Sequence, residues 1–318
     1  MMPNPKLLVA GELNVDLILN KIQAFPQMGK EMIAEEMEIC LGSSSAIMAA
    51  NSAALGVDTT FCGVIGEDYF GEFILRELEK KAVSCQHITR LAGRKTGCTL
   101  VMSYDQDRAN VTYPGTMDAL TIRDIPIESP TVYQHLHVSS LFLQKGIHRD
   151  IAQIFMHAKA AGMTTSLDMQ WDPTEQWAFD YAACLPYVDV FMPNEAELLA
   201  LTKAGSLAAA MEKVRPYLNT LALKMGKNGS MGICGGQELT VPAFEVPHFV
   251  DAIGAGDSFN AGFIQKYMSG APLEECLRAG NLMGAISTTG AGGTGAFADR
   301  QKISETIKDF WGIELSLT

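Results

Sequence analysis

The sequence predicts an α/β fold, a mostly parallel central sheet covered by helices and carrying a small β lid. Three observations lead there. Short apolar runs alternate with longer amphipathic segments almost throughout the 318 residues, the signature of strands and helices in turn around a parallel sheet. Two early stretches, 15–40 and 96–113, interrupt this with polar-alternating strand pairs and no helix between them. No repeat, low-complexity tract or Pro/Ser-rich linker divides the chain. A single domain over 1–318 is expected, with its lid made from about 12–42 and 96–117.

Taken in order, Lys6–Gly11 is an apolar run expected as the first buried strand, and Val15–Cys40 a strand pair. Ser44–Leu55 is helical, Thr59–Ile65 a strand and Tyr69–Ala82 a helix. Within Thr96–Tyr113, strands Cys98–Tyr104 and Asn110–Tyr113 flank a hairpin turn at Asp105-Gln-Asp-Arg108. Strands are expected at Gln134–Ser139, Thr164–Asp168, Val188–Met192 and Thr220–Lys224, and helices at Arg149–Ala161, Glu195–Thr202 and Leu207–Tyr217. Asn228-Gly229 is a strong hairpin signal, with Ser230–Cys234 and Glu238–Val241 as its flanking strands. From Gly254 onward the chain reads as mostly helical.

Composition narrows the function. A formal net charge of −12 argues against nucleic acid or an anionic membrane surface as partner. No apolar run approaches the roughly 20 residues that span a bilayer, and Met-Met-Pro-Asn-Pro-Lys6 lacks the regions of a signal peptide. Seven dispersed cysteines without a CxxC pair read as reduced core thiols of a cytoplasmic protein. The six histidines have no metal-ligand spacing, and His135 and His137 alternate on a strand as structural residues.

The stretch from Asp251 to Phe263 carries the chemistry. Gly254, Ala255 and Gly256 precede Asp257 and an apolar run. Small residues let a ligand approach the backbone, and a helix beginning here presents unpaired N–H groups and a positive dipole end to an anion. Asp257 beside them is placed to accept a proton from an attacking hydroxyl, so one segment serves both halves of a phosphoryl transfer. By itself the same segment also reads as a glycine-rich turn with an acid at a helix start.

Further motifs fall in a fixed order: Gly11-Glu-Leu-Asn-Val-Asp16, Gly42-Ser-Ser-Ser45, Gly63-Val-Ile-Gly-Glu-Asp68 with Gly71, Thr96-Gly97, Asn194-Glu-Ala-Glu197 and Gly226-Lys-Asn-Gly229. With the Gly254–Asp257 signature they resemble the ribokinase-like (PfkB) carbohydrate kinases from end to end. The resemblance implies a three-layer ribokinase-like fold and an ATP-dependent sugar kinase using Mg²⁺, with possible dependence on K⁺. It makes Asp257 the base, with Gly254, Ala255 and Gly256 around the transferring phosphate. Asp16, with Asn14, Gly42, Ser43 and Ser44, would bind the sugar. Gly226, Gly229, Lys224 and Asn281 would meet the nucleotide. Asn194 and Glu197 would order Mg²⁺ through waters, although the pair is equally a helix-capping box. Asp251 and the Ile253 carbonyl would bind K⁺, beside the loop of Gly290, Gly292 and Gly293.

The chain departs from this pattern in two places. Leu41 and Ala46 stand where the family has Gly and a sugar-binding Asn, leaving Asn51 or a serine to supply the missing amide. Ala252 stands where a small hydroxyl residue or Pro is usual. The acceptor stays open between sugars, sugar acids and nucleosides. A sugar phosphate would call on Lys30, Arg94 or Lys95, and Trp171 would stack on nucleotide or cap the core. The rivals are a nucleoside or sugar-phosphate kinase of this fold, a non-catalytic sugar- or nucleotide-binding regulator, and a dehydrogenase, whose G-x-G-x-x-G is absent after the first strand. A homodimer through the lid is expected from its open sheet edges.

Overall fold

A computed structural model describes residues 6–104, 107–128 and 131–314. Met1–Pro5 and the Asp105-Gln106 half of the expected turn lie outside them, while its Asp107-Arg108 half belongs to a strand. The strands are β1 (Lys6–Ala10), β2 (Asn14–Asn20), β3 (Glu36–Leu41), β4 (Asp58–Gly66), β5 (Ser84–Leu91), β6 (Gly97–Tyr104), β7 (Asp107–Tyr113), β8 (His135–Ser139), β9 (Thr164–Asp168), β10 (Val190–Phe191), β11 (Thr220–Lys224), β12 (Ser230–Cys234) and β13 (Gln237–Val241). The helices are α1 (Ser44–Ala54), α2 (Tyr69–Lys80), α3 (Lys145–His148), α4 (Ile151–Ala160), α5 (Tyr181–Cys184), α6 (Glu195–Thr202), α7 (Leu207–Val214), α8 (Ala255–Met268), α9 (Leu273–Ser287) and α10 (Arg300–Trp311).

Nine strands form the main sheet in the order β13-β12-β11-β10-β9-β8-β1-β4-β5. All neighbours from β11 to β5 pair parallel, and β12 and β13 add antiparallel at one edge. The apolar runs are explained by helices on both faces. Leu8 and Ala10 point into one core with Ile154 and Phe155 of α4, Leu198 of α6 and Met211 of α7. Leu7 and Val9 point into the other with Met48 of α1, Ile74 of α2, Phe263 of α8 and Leu277 of α9. Each fully buried side chain of this kind contributes about 1.5–3 kcal/mol. From β1 the chain moves to β4 and β5 on one side, then returns to β8 and beyond on the other. That reversal makes the carboxyl ends around β1 and β8 a crevice, the usual ligand site of open α/β sheets.

A second sheet, β3-β2-β6-β7, arises from the two early excursions. Strands β2 and β6 pair parallel, each with an antiparallel partner outside it. Met37, Val111 and Tyr113 on it are more than half exposed.

Four details differ from expectation. Strand β10 keeps only Val190–Phe191 of the expected Val188–Met192, because Val188 ends a 3₁₀ turn and the Asp189 carboxylate, instead of backbone, takes the Thr165 N–H at 2.8 Å. The Asn-Gly turn joins β11 to β12, not β12 to β13, whose connection is Gly235-Gly236. Strand β5 was not foreseen: its Ser-Cys-Gln-His-Ile-Thr-Arg-Leu sequence is a half-buried edge, with no continuous apolar run. All seven cysteines are free, and Cys234 is exposed rather than in a core. Among the described residues no helix is long and apolar enough to cross a membrane.

Candidate active site

The Asp251–Phe263 segment folds as its composition suggests. Gly254 takes the left-handed conformation at φ 71°, and α8 begins at Ala255 without a side-chain cap. A Cβ at Gly254 would lie 2.6 Å from the Gly293 backbone, so only glycine fits. The Ala255 N–H bonds the Ala252 carbonyl at 3.3 Å, and the next two N–H groups of α8, of Gly256 and Asp257, are left for an external acceptor. Asp257 lies in that first turn and is 7% exposed.

Two cavities meet there. One, of about 400 Å³, is largely apolar and is lined by Lys224, Gly226, Gly229, Phe244, Gly256 and Asn281. The other, of about 240 Å³, lies between the two sheets and is lined by Asn14, Asp16, Ser43, Ser44, Arg108 and Asp257. Ala255 and Gly256 thus face the first cavity while Asp257, one residue on, faces the second. Apart from Gly42, the catalytic, sugar and nucleotide candidates divide between the two cavities, whereas Asn194, Glu197 and Asp251 line neither. Gly42 lines neither, but a Cβ there would sit 2.3 Å from Asp16 Oδ1, so its bareness makes room for that carboxylate.

Beneath Asp257 lies a buried polar network. Asp168, fully buried at the carboxyl end of β9, accepts from Lys224 Nζ at 2.6 Å, Asn260 Nδ2 at 2.5 Å and Gln170 Nε2 at 3.1 Å. Asp257 Oδ1 accepts from Ser44 Oγ at 2.5 Å and Gln170 Nε2 at 3.1 Å. Burial first, then the charge of Asp168, pushes Asp257 up to about 7, against the Ser44 hydrogen bond and the Lys224 charge. Burial works to lower the Lys224 ammonium, but Asp168, Glu197 and Asp257 outweigh it and hold it above its ordinary value. Burial also raises Asp16 to about 6, opposed by the Asn14 hydrogen bond and the charge of Arg108.

Lys224 is therefore more than a strand-end residue. Lys224→Met leaves the buried Asp168 carboxylate without its counter-ion, and we expect a loss of about 3 kcal/mol, measured as a fall in Tm. The double variant with Asp168→Asn should recover much of that loss; simple addition of the two single losses would show that the pair does not act as a unit.

Asn194 and Glu197 form a closed capping box. Asn194 Oδ1 accepts from the Glu197 N–H, while Glu197 Oε2 and Oε1 accept from the Asn194 N–H and Nδ2. Burial and Asp168 raise the Glu197 carboxyl. Each oxygen of Glu197 accepts one of these bonds and keeps a further lone pair, which suits hydrogen bonding to a magnesium-bound water. No cluster of three or more metal-ligating side chains occurs among the described residues. The Asp251 carboxylate accepts from the N–H groups of Ile253 and Gly292 at 2.6 and 2.8 Å, which closes the loop beside α8. Asn281 lines the apolar cavity and ties α9 to the Val241 and Pro242 carbonyls. A Cβ added at Gly293 would meet Ile47, and one added at Gly292 would meet Cys40.

Other expectations are corrected. Asn51 does not replace the missing amide: it is fully buried and donates to Ser258 Oγ and Gly293 O, both at 2.9 Å. Ala46 points into the core, and Ile47 beside it reaches the cavity. None of Lys30, Arg94 and Lys95 lines the cavity between the two sheets; Arg108 is the cation there. Arg94 instead holds Asp118 and the Gly115 carbonyl. Trp171 lies outside the apolar cavity and packs edge-on against Trp177 at 5.0 Å. Sequence reasoning passed over Glu12, Asp168 and Arg108 and gave Gln170 no role. The available signal was an acid closing an apolar strand run, as Asp168 does.

A parallel α/β core, a helix N-terminus open to an anion and a carboxylate between two cavities define a phosphotransferase of the ribokinase-like fold. The family model described as pfkB family carbohydrate kinase matches residues 4–299, and the chain belongs to that family. It is 29% identical over 231 residues to an uncharacterized sugar kinase of Archaeoglobus fulgidus, covering 73% of this chain and 91% of that one. It is 24% identical to the ribokinase of Bacillus subtilis over 94% of this chain and 98% of that one. A solved structure of Arabidopsis thaliana ribokinase complexed with ribose and ATP has a TM-score of 0.80 at 23% identity, covering 96% of this chain and 99% of that one.

Proposed function

We propose that this carbohydrate kinase moves the γ-phosphate of ATP to a sugar hydroxyl, with Asp257 as general base. The supporting observation is the position of Asp257: its carboxylate lines the polar cavity and its helix N-terminus borders the apolar one. The acceptor hydroxyl gives its proton to Asp257 as its oxygen bonds to phosphorus, and ADP leaves with the electrons of the broken P–O bond. The N–H groups of Gly256 and Asp257, and that of Ala255 once it leaves the Ala252 carbonyl, stabilise the oxygens of the transferring group. Lys224 contributes positive charge near the phosphates. Magnesium, held through water by Asn194 and Glu197, would neutralise the triphosphate.

The four-stranded sheet acts in this reading as a lid that excludes water. Asp16 and Asn14 on β2, with Ser43 and Ser44 at the start of α1, hold the acceptor. Asp251 and the Ile253 carbonyl are the candidate potassium site. Met37, Val111 and Tyr113 would be covered in a homodimer through the lid, for which sedimentation is the check. Arg108 in the acceptor cavity keeps sugar acids and sugar phosphates beside neutral sugars and nucleosides. An ATP-consumption screen over these four classes, with K⁺ or Na⁺, tests the reading. Turnover of a sugar supports it, and binding without turnover in every class supports a regulator instead.

A further inference from the structure

We propose that Ser44 and Gln170 are positioning residues that clamp one oxygen of Asp257 and leave the other as the proton acceptor. The inference rests on Asp257 being the base. Both side-chain donors converge on Oδ1: Ser44 Oγ at 2.5 Å and Gln170 Nε2 at 3.1 Å. Gln170 Nε2 also donates to Ser44 Oγ at 3.0 Å. The Ser44 hydroxyl can accept from the amide and spend its one hydrogen on Asp257, while the two Nε2 hydrogens of Gln170 are shared among Asp257 Oδ1, Ser44 Oγ and Asp168 Oδ2. No hydrogen bond to Oδ2 is formed by the described side chains, while Asp257 lines the acceptor cavity.

The two clamp residues come from distant parts of the chain. Ser44 is the first residue of α1, and Gln170 lies just after β9. Backbone strain marks both places. Ser43, the N-cap of α1, has φ 69°, and Gln170 itself has φ 60°. Non-glycine residues adopt this region at a cost of about 1–3 kcal/mol, and retain it where the surroundings enforce it. Gln170 is further tied to Asp168 Oδ2 at 3.1 Å, so the clamp is anchored to the Lys224–Asp168 pair.

The clamp also sets the charge of the base. The ionisable groups facing Asp257 are Asp168 of β9 and Glu12 after β1, which raise its proton affinity, and Lys224 of β11, which lowers it. The Ser44 hydroxyl stabilises the ionised carboxylate and so acts with Lys224. Removing the hydroxyl must move the titration of Asp257 to higher pH. Gln170→Glu, by setting a second carboxylate against Oδ1, must move it further.

Carbon-13 NMR of aspartate-labelled protein, with the Asp257 signal assigned by its loss in Asp257→Asn, reads this titration without any substrate. We expect Ser44→Ala to raise the midpoint by roughly 1–2 pH units, the order of one lost hydrogen bond to a charged group. Ser44→Thr should restore it, and Gln170→Glu should raise it beyond the Ser44→Ala value. A midpoint unmoved in Ser44→Ala overturns the clamp, as does a Gln170→Glu midpoint equal to that of the wild type. Thermal melts of each variant separate misfolding from titration. The base assignment fails separately, through normal turnover in Asp257→Asn, whatever Ser44 does.

Discussion

Asp257→Asn should lower turnover by about 10²–10⁴-fold, the usual contribution of a positioned general base, while the KM for ATP stays within about two-fold. Asn preserves the shape of the side chain and can still accept from Ser44 and Gln170 through its carbonyl. It has no lone pair basic enough to take the acceptor proton. The α8 N–H groups and Lys224 are untouched, so nucleotide binding survives. In the wild type, a carboxyl raised to about 7 has a consequence in the pH profile. Below about pH 7 the group is protonated and cannot act as base, so kcat/KM should fall on the acid side and level off above pH 8. The variant should lack that limb. Near-normal turnover in Asp257→Asn would sink the assignment.

The same substitution has a stability signature of opposite sign. The folded state holds the Asp257 proton up to about 7, whereas the unfolded carboxyl releases it near its ordinary 3.8. Between these values the folded state binds more protons, so stability declines as pH rises through the window and stays lower above it. Asn carries no such penalty. Asp257→Asn should therefore be more stable than the wild type at pH 8, with the advantage shrinking toward pH 4. A calorimetric Tm difference that does not change with pH would contradict the burial of a working carboxylate. A buried base held at some cost to stability is the usual relation between an active site and its scaffold.

How much of this was legible in the sequence follows from which interactions are local. The main strands were readable because helices cover both faces, so their apolar runs are unbroken. Strand β5 was not, because an edge strand needs no such run. Gly254–Asp257 announced itself because phosphate-ready backbone needs small residues in sequence. The pairing of Asp168 with Lys224, the site's buried ion pair, did not: the two are brought together at 2.6 Å by strands β9 and β11, which flank β10 in the sheet. Pairing across a sheet leaves no spacing rule in the chain. Asn194 and Glu197 show the reverse case. Their three-residue spacing was visible, and the capping box that also explains it is formed in full. Ser44 read as part of an ordinary helix start, and only the arrival of Asp257 and Gln170 gives its hydroxyl chemistry.

Asp16→Ala should divide the two substrates of the enzyme. Asp16 stands on β2 of the smaller sheet, in the acceptor cavity and outside the apolar one. Asn14 Nδ2 donates to its Oδ1 at 2.9 Å, and the carboxylate has further lone pairs for sugar hydroxyls. Two hydrogen bonds to a charged group, at about 1.5–3 kcal/mol each, make a loss of roughly 10²- to 10⁴-fold in kcat/KM for the acceptor the expected result. The KM for ATP should move by less than about two-fold, because no Asp16 atom reaches that cavity. Charge gives an independent check. Burial raises the Asp16 carboxyl to about 6, so it is ionised at pH 8 and largely protonated at pH 5. A protonated carboxyl accepts less well, and acceptor affinity in the wild type should weaken through pH 6. Asp16→Ala should show no such limb, and Asp16→Asn should sit between the two in affinity with no pH dependence. Because the Asp257 limb lies near 7 and the Asp16 limb near 6, equilibrium binding of the acceptor isolates the second from the first. Equal losses of sugar and ATP binding in Asp16→Ala would mean that the smaller sheet supports the whole cleft and that Asp16 does not read the acceptor.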